Sequence, residues 1–406
     1  MTTFTKLSDQ DTPSIAIHPS RRISKINPNI YAGFTEHMGR CIYGGIYDPG
    51  NPLSDENGFR KDVLEALKTL DIPVVRYPGG NFMATYHWID GVGPKDQRPA
   101  RLNTGLSETR PGDRGNLVLI LCGQDGTASW DYYTLKHCLL PVNSPLSTSA
   151  VPLIDMHSIH LYTSSSSHLP NATAPLAAER AIEITSSLID LARIENGVPP
   201  EQARPTICFD EWNVWDPIRA EGSKGAEECY TLSDALAVAV WLNVFVRKSK
   251  DLGMACIAQT VNVISPLMTT KEGITKQTTW WPLYLFSKYM RGWTISAHLA
   301  SATYEGETSP KWIRGVKETP WLDVSAVLGE DGYVNVAVVN IHEEKAIETT
   351  IDGASGEVTV FTVTGDSVAA TNMKGKEEVA VVESTWDGQG PYTFPKHSLT
   401  LLRWKA

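Results

Sequence analysis

Two adjacent carboxylates, Asp210 and Glu211, close a short apolar run, and Trp212, Asn213 and Trp215 follow at once. Residues 206–209 come directly after Pro205 and read as a buried strand. Acids among indoles at a strand end have the composition of a site that works on sugars. Indole faces stack on the ring, and a carboxylate attacks or protonates at the anomeric centre. The plainer alternative is a strand end with solvated acids. The indoles weigh against it, because large aromatic surfaces are costly to leave in water. If the strand is parallel and buried, its C-terminal mouth is where α/β barrels keep their reacting groups. Strict alternation sets Asp210 and Glu211 on opposite faces, one toward a cleft and one supporting a neighbouring strand.

A chain of 406 residues is long enough for one large barrel and a smaller domain. A net charge of −10 and the lack of a basic stripe with interleaved aromatics argue against nucleic acid. Twelve Trp in an acidic chain suit a neutral sugar polymer as partner. The six Cys have neither framework nor metal-ligand spacing, so no metal is expected, and Cys208 and Cys256 read as buried thiols. The first ten residues lack the apolar core of a signal peptide, which favours a cytoplasmic protein. The apolar stretch 234–246 is too short to span a membrane, so no membrane partner is expected. Asn171 to Thr173 forms a glycosylation sequon of a kind that arises often by chance.

These carboxylates need a scaffold. Residues 14–19 alternate like a strand, and 26–34 lead into Glu36, His37 and Arg40. Phe59, Val63, Leu67 and Leu70 share a helical face. A strand over 72–75 ends in Arg76-Tyr77-Pro78-Gly79-Gly80-Asn81, a glycine-rich mouth that carries Arg76 and Asn81 toward a ligand or makes a structural turn. Trp88 precedes the polar loop 91–99. Further strands read at 117–122, 155–162 and 254–263, the last carrying Gln259 and Asn262. His160 and Tyr162 stand two apart and so share a face. Helices are expected over 175–195 and 234–246. From about residue 295 the chain alternates apolar and polar residues between Gly-containing turns, as an antiparallel β sandwich does, with no catalytic cluster and no clustered exposed aromatics.

The run Phe209-Asp210-Glu211-Trp212-Asn213-Val214-Trp215 resembles the nucleophile motif of the α-L-arabinofuranosidases of glycoside hydrolase family 51, in the fungal arabinofuranosidase C type. The resemblance covers about residues 14–101 and 117–406. It implies an α/β fold: a (β/α)8 TIM barrel over 21–294, an N-terminal strand segment over 1–20 pairing with the C-terminal β domain, and a jelly-roll-like β sandwich over 295–406. It implies retaining release of non-reducing terminal α-L-arabinofuranosyl residues from arabinan, arabinoxylan and arabino-oligosaccharides, with no organic cofactor. Glu211 would be the nucleophile. Glu36, Arg76, Asn81, His160, Tyr162 and Gln259 would hold the ring or orient the nucleophile, with Trp88 and Trp215 as cleft walls. Relatives are commonly homo-oligomers, often hexamers, an assembly that barrel damage would work against. Their role on wall polymers makes export the alternative to a cytoplasmic location.

The resemblance fails over 102–116. Six strands are legible, matching the first, second and fifth to eighth of the family. The roughly 36 residues from Asn81 to Leu117 cannot hold two βα units of about thirty residues each. The family's acid/base, a Glu after Asn at the end of the fourth strand, has no counterpart. Three readings follow: an arabinofuranosidase by descent with impaired activity; an inactive sugar-binding remnant or truncated gene product; or a carbohydrate-binding protein without enzymatic activity whose sandwich does the work.

Overall fold

The computed structural model describes residues 2–84, 86–99, 118–143, 150–152, 154–307, 319–373 and 375–406; for residues 84, 95, 141–143 and 150–152 only the backbone is described. Six strands form one all-parallel sheet: β1 (Ala32–Phe34), β2 (Val75–Arg76), β3 (Ile120–Cys122), β4 (Met156–Thr163), β5 (Thr206–Val214) and β6 (Leu252–Ala258). Their order across the sheet is β2-β1-β6-β5-β4-β3. The sheet is therefore an open, curled half-barrel whose end strands, β2 and β3, have no second strand neighbour among the described residues. The apolar side chains of Val75 and Ile120 on these edges are 53% and 41% exposed. Between the edges lies a cavity of about 440 Å³, reached by Arg76, Ile120, Cys122, His160, Cys208 and Asp210. Cys208 and Cys256 are buried free thiols.

Helices α1 (Lys61–Thr69), α2 (Ser129–Cys138), α3 (His168–Thr173), α4 (Leu176–Glu195), α5 (Leu232–Arg247) and α6 (Trp280–Tyr289) cover the sheet. α5 begins in a capping box, in which Thr231 and Asp234 satisfy each other's backbone N–H groups, worth about 1 kcal/mol. Every residue from Leu232 to Val246 is buried, because the helix is covered on two sides. On one side Trp241 and Phe245 meet Phe209 and Trp212 of β5 at centroid distances of 5.0–5.5 Å. On the other, Asn243 and Arg247 bind the Asp323 carboxylate at 2.7 and 2.9 Å. Among the described residues no helix is long and apolar enough to cross a membrane.

Most of the C-terminal strands join with Ser14–Lys25 and with Thr2–Lys6, which pairs parallel with Trp293–Ser301, in one ten-stranded sheet. Its path runs from Ala380–Trp386 through Val358–Thr364, Ser398–Lys405, Tyr333–Asn340, Leu322–Leu328, Trp293–Ser301 and Ser14–Lys25 to Ile347–Asp352 and Tyr392–Phe394. Residues from both ends of this path, Val360 and Phe394, share one core with Val336, Ile15 and Trp404, so the sheet curls on itself. Ser14–Lys25 pairs antiparallel with Trp293–Ser301, with Ser14 opposite Ala300 and Lys25 opposite Trp293. Tyr333–Asn340 is buried on both faces. Val334, Val336 and Val338 belong to the sheet's own core, while Ala337 and Val339 belong to the barrel core.

Several expectations need correction. Phe59 lies outside α1, 42% exposed and edge-on to Tyr47, because the helix starts only at Lys61. The second strand is reduced to Val75–Arg76, since an edge with one neighbour offers few ladder bonds. β6 ends at Ala258, which leaves Gln259 and Asn262 on the loop that follows. β3 begins at Ile120, and Leu117 lies outside the described residues. Asn171 is buried and donates to Ser233 and Asp234, so its sequon is incidental.

Candidate active site

β5 does not alternate through its acids. Ser158 pairs with Cys208 but His160 with Glu211, and on the other side Ala255 pairs with Phe209 but Ile257 with Trp212. One extra residue is thus accommodated in β5 against both neighbours, a β-bulge at the mouth. The expected opposition of Asp210 and Glu211 is overturned. Phe209 and Trp212 turn out to α5, and both carboxylates turn inward to the same partners.

Arg76 arrives from β2, on the far side of the curl. Its Nη1 donates to Glu211 Oε1 at 2.6 Å and to the Asp210 carbonyl at 2.9 Å, and its Nε lies 3.5 Å from Asp210 Oδ2. The guanidinium lies over the Phe34 ring at 4.2 Å. The other oxygen, Glu211 Oε2, accepts from the Tyr162 hydroxyl at 3.0 Å and lies 3.5 Å from His160 Nδ1. His160 and Tyr162 do share a face, and both address Glu211. His160 also sets Nε2 3.2 Å from Asp210 Oδ1, which Ser158 Oγ contacts too.

Burial opposes ionisation of Asp210, yet His160, Arg76 and Ser158 outweigh it and hold the carboxyl below its usual range. Burial likewise opposes the Arg76 charge, and Asp210 and Glu211 restore it. Burial, then the Glu211 carboxylate, pushes the Tyr162 phenol well above its ordinary value, so it remains a donor.

Glu36, just past β1, is clasped separately. Its Oε1 accepts from the backbone N–H groups of Gly80 and Phe82 at 3.1 and 3.2 Å, and its Oε2 from Gln259 Nε2 at 3.2 Å. Gln259 Oε1 in turn accepts from the Glu36 N–H at 3.1 Å. The glycines between the two acids are needed for close approach. A Cβ on Gly79 would stand 2.5 Å from Glu36 Cγ, and one on Gly80 2.7 Å from Glu211 Oε1. Trp215 meets Tyr162 edge-on at 5.5 Å and donates from its indole to the Ala220 carbonyl. Asn81 opens a 3-10 turn between Gly80 and Phe82, the two residues whose N–H groups donate to Glu36, and Trp88 is 69% exposed on a second turn. Asp210 and Ser158 were not expected here. The bulge that recruits Asp210 leaves no mark in the sequence, whereas Ser158 lies two residues before His160 and so on its face. Among the described residues no group of three His, Cys, Asp or Glu could hold a metal.

A carboxylate gripped by Arg, Tyr and His at the C-terminal mouth of a parallel half-barrel defines a glycoside hydrolase of the barrel class. The α-L-arabinofuranosidase C-terminal domain family matches residues 210–398. Probable α-L-arabinofuranosidase C of Aspergillus flavus is 79% identical, with all of both chains covered, and the α-L-arabinofuranosidase C of Emericella nidulans is 68% identical over the same extent. The crystal structure of an α-L-arabinofuranosidase from Thermotoga maritima in complex with arabinose is similar, with 27% identity, 97% of this chain and 100% of that one covered, and a TM-score of 0.80. The glycoside hydrolase family 51 enzyme of Thermotoga petrophila matches equally well, at 26% identity and a TM-score of 0.80. The chain belongs to the α-L-arabinofuranosidases of that family. Its alignment with the Aspergillus flavus protein spans 504 positions against 406 residues here, so about a hundred positions of that relative have no residue opposite them.

Proposed function

We propose that the half-barrel binds a non-reducing terminal α-L-arabinofuranosyl group, that Glu211 attacks its anomeric carbon, and that this chain lacks the acid/base that would complete turnover on natural polymers. The grip of Arg76, Tyr162 and His160 on Glu211 carries the first part. It fixes the carboxylate in place and aims it for attack. The Glu36–Gln259 clasp and the backbone at Gly79 and Gly80 form the adjoining wall for sugar hydroxyls.

A retaining hydrolase needs a second carboxylate about 5–5.5 Å from the first. The acids described beside Glu211 are already engaged: Glu36 accepts three hydrogen bonds, and Asp210 is held by His160, Ser158 and Arg76. A leaving group that departs unprotonated escapes this need in the first step. Glu211 then forms an ester bond to the anomeric carbon as the carbon–oxygen bond breaks and an aryloxide leaves. Attack by water on that ester still wants a base, so the adduct persists.

The test is intact mass after incubation with a nitrophenyl α-L-arabinofuranoside. The expected result is a gain of one arabinosyl unit, absent from Glu211→Gln. No adduct and no turnover would sink the proposal. Rapid turnover without adduct would show that another residue supplies the acid/base.

A further inference from the structure

The C-terminal sheet carries a second cleft, remote in sequence from the β5 carboxylates. It encloses about 370 Å³ and is lined by Asp9, Asp11, Trp321, His342, Lys345 and Glu348 among others. One wall is aromatic. His342 lies on Trp321 with ring centroids 4.3 Å apart and planes 34° apart, and Tyr304 packs on Trp321 at 5.6 Å. None of the three rings is fully exposed, yet they gather part-buried along one side of the cleft. These rings are scattered in sequence at 304, 321 and 342, and only the strand pairing gathers them.

The polar groups are oriented. His342 Nδ1 accepts the backbone N–H groups of Glu344 and Lys345 at 3.1 and 3.2 Å, which places the ring proton on Nε2 and leaves that nitrogen as a donor. Asp11 uses one oxygen on the Ser8 N–H at 3.1 Å and keeps the other. Among the described residues, Asp9, Asp11 and Glu348 have no ion-pair partner. Their oxygens suit hydroxyl donors, each carboxylate taking a pair, while the rings offer a face to the C–H side of a sugar. Three uncompensated acids also repel a polyanion.

We infer that this cleft is a second sugar-binding site that takes a neutral, arabinofuranosyl-bearing chain and holds polymer apart from the barrel; the choice of sugar rests on the function proposed above. The indole and imidazole contact the ring faces, His342 Nε2 donates, and the carboxylates accept from hydroxyls. Lys345 also lines the cleft, one lysine against three acids.

The test is electrophoresis of the full chain through gels containing linear arabinan. Arabinan should retard the protein, and polygalacturonate should not. His342→Ala and Asp11→Asn, each made alone, should weaken arabinan retardation at least tenfold. Neither residue touches the barrel site, and neither is fully buried. Retardation unchanged by both variants, absent altogether, or equally strong with polygalacturonate overturns the inference. The adduct assay reports only on Glu211 and the retardation shift only on His342 and Asp11, so failure of one is distinguishable from failure of the other.

Discussion

Arg76 of β2 reaches Glu211 of β5 at 2.6 Å although β1 and β6 lie between their strands. That contact is a chord across the curl. It fixes the nucleophile from the opposite wall and ties an otherwise weakly paired edge strand to the centre of the sheet. Arg76 is therefore both a site residue and a structural one.

Arg76→Lys should slow adduct formation about a hundredfold or more, because one ammonium cannot address the Glu211 and Asp210 carboxylates at once, as Nη1 and Nε do. Single-turnover mass kinetics with the nitrophenyl substrate would measure this. A change of less than threefold would show that the guanidinium is dispensable.

Gly80→Ala should cost more in chemistry than in folding. The added methyl would press on Glu211 Oε1, 2.7 Å away, and push the carboxylate off its Arg76 and Tyr162 partners. The backbone at Gly80 has no positive φ that only glycine could adopt. The adduct rate should fall at least tenfold while Tm moves by only a few degrees.

Glu228 makes stability fall as pH rises. It is buried, and burial pushes its carboxyl up to about 8 although Arg219 Nη2 lies 2.7 Å away. That one guanidinium also serves Asp234 and Asp216, at 3.0 and 3.3 Å. Between the ordinary 4.5 and about 8 the folded state keeps a proton that the unfolded state releases, so this group's contribution is present at pH 4.5 and lost by about pH 8. Thermal melts at pH 5 and pH 8 should show a drop in Tm that Glu228→Gln largely removes. An unchanged difference in the variant would refute the assignment.

The edges predict association. Among the described residues β2 and β3 each lack a second strand neighbour and carry exposed Val75 and Ile120, which is a template for further strands. Light scattering on heating should show aggregation that grows with protein concentration, and Ile120→Lys should delay it. A sharp, reversible melt independent of concentration would contradict this.

The sequence carried the parts of this structure that depend on local pattern. The apolar run before Glu211, the His160–Tyr162 spacing and the fully apolar α5 each reappear as geometry, because period and burial decide them. The glycine-rich segment after Arg76 was legible as a mouth, although its purpose, clearance for two carboxylates, needed coordinates. What escaped was set by register. A bulge adds one residue without altering the composition of a strand, so nothing in 206–215 told that Asp210 would join Glu211. The wall of the second cleft escaped for a similar reason, since antiparallel pairing gathers its rings from three distant places.

The strand Tyr333–Asn340 explains how a cut barrel can still hold a shape. A closed barrel is a hoop, stiff because every strand has two neighbours. This hoop is open, but its α5 side is splinted. Alternate residues of Tyr333–Asn340 are keyed into two cores at once, and Arg247 is pinned beside them by Asp323 and Glu179. Rigidity that a ring would distribute around its circumference is supplied here from one flank. β5, which packs on α5, lies on the splinted side; the strand bearing Glu211 is thereby braced from behind even though Arg76 reaches it from the open edge.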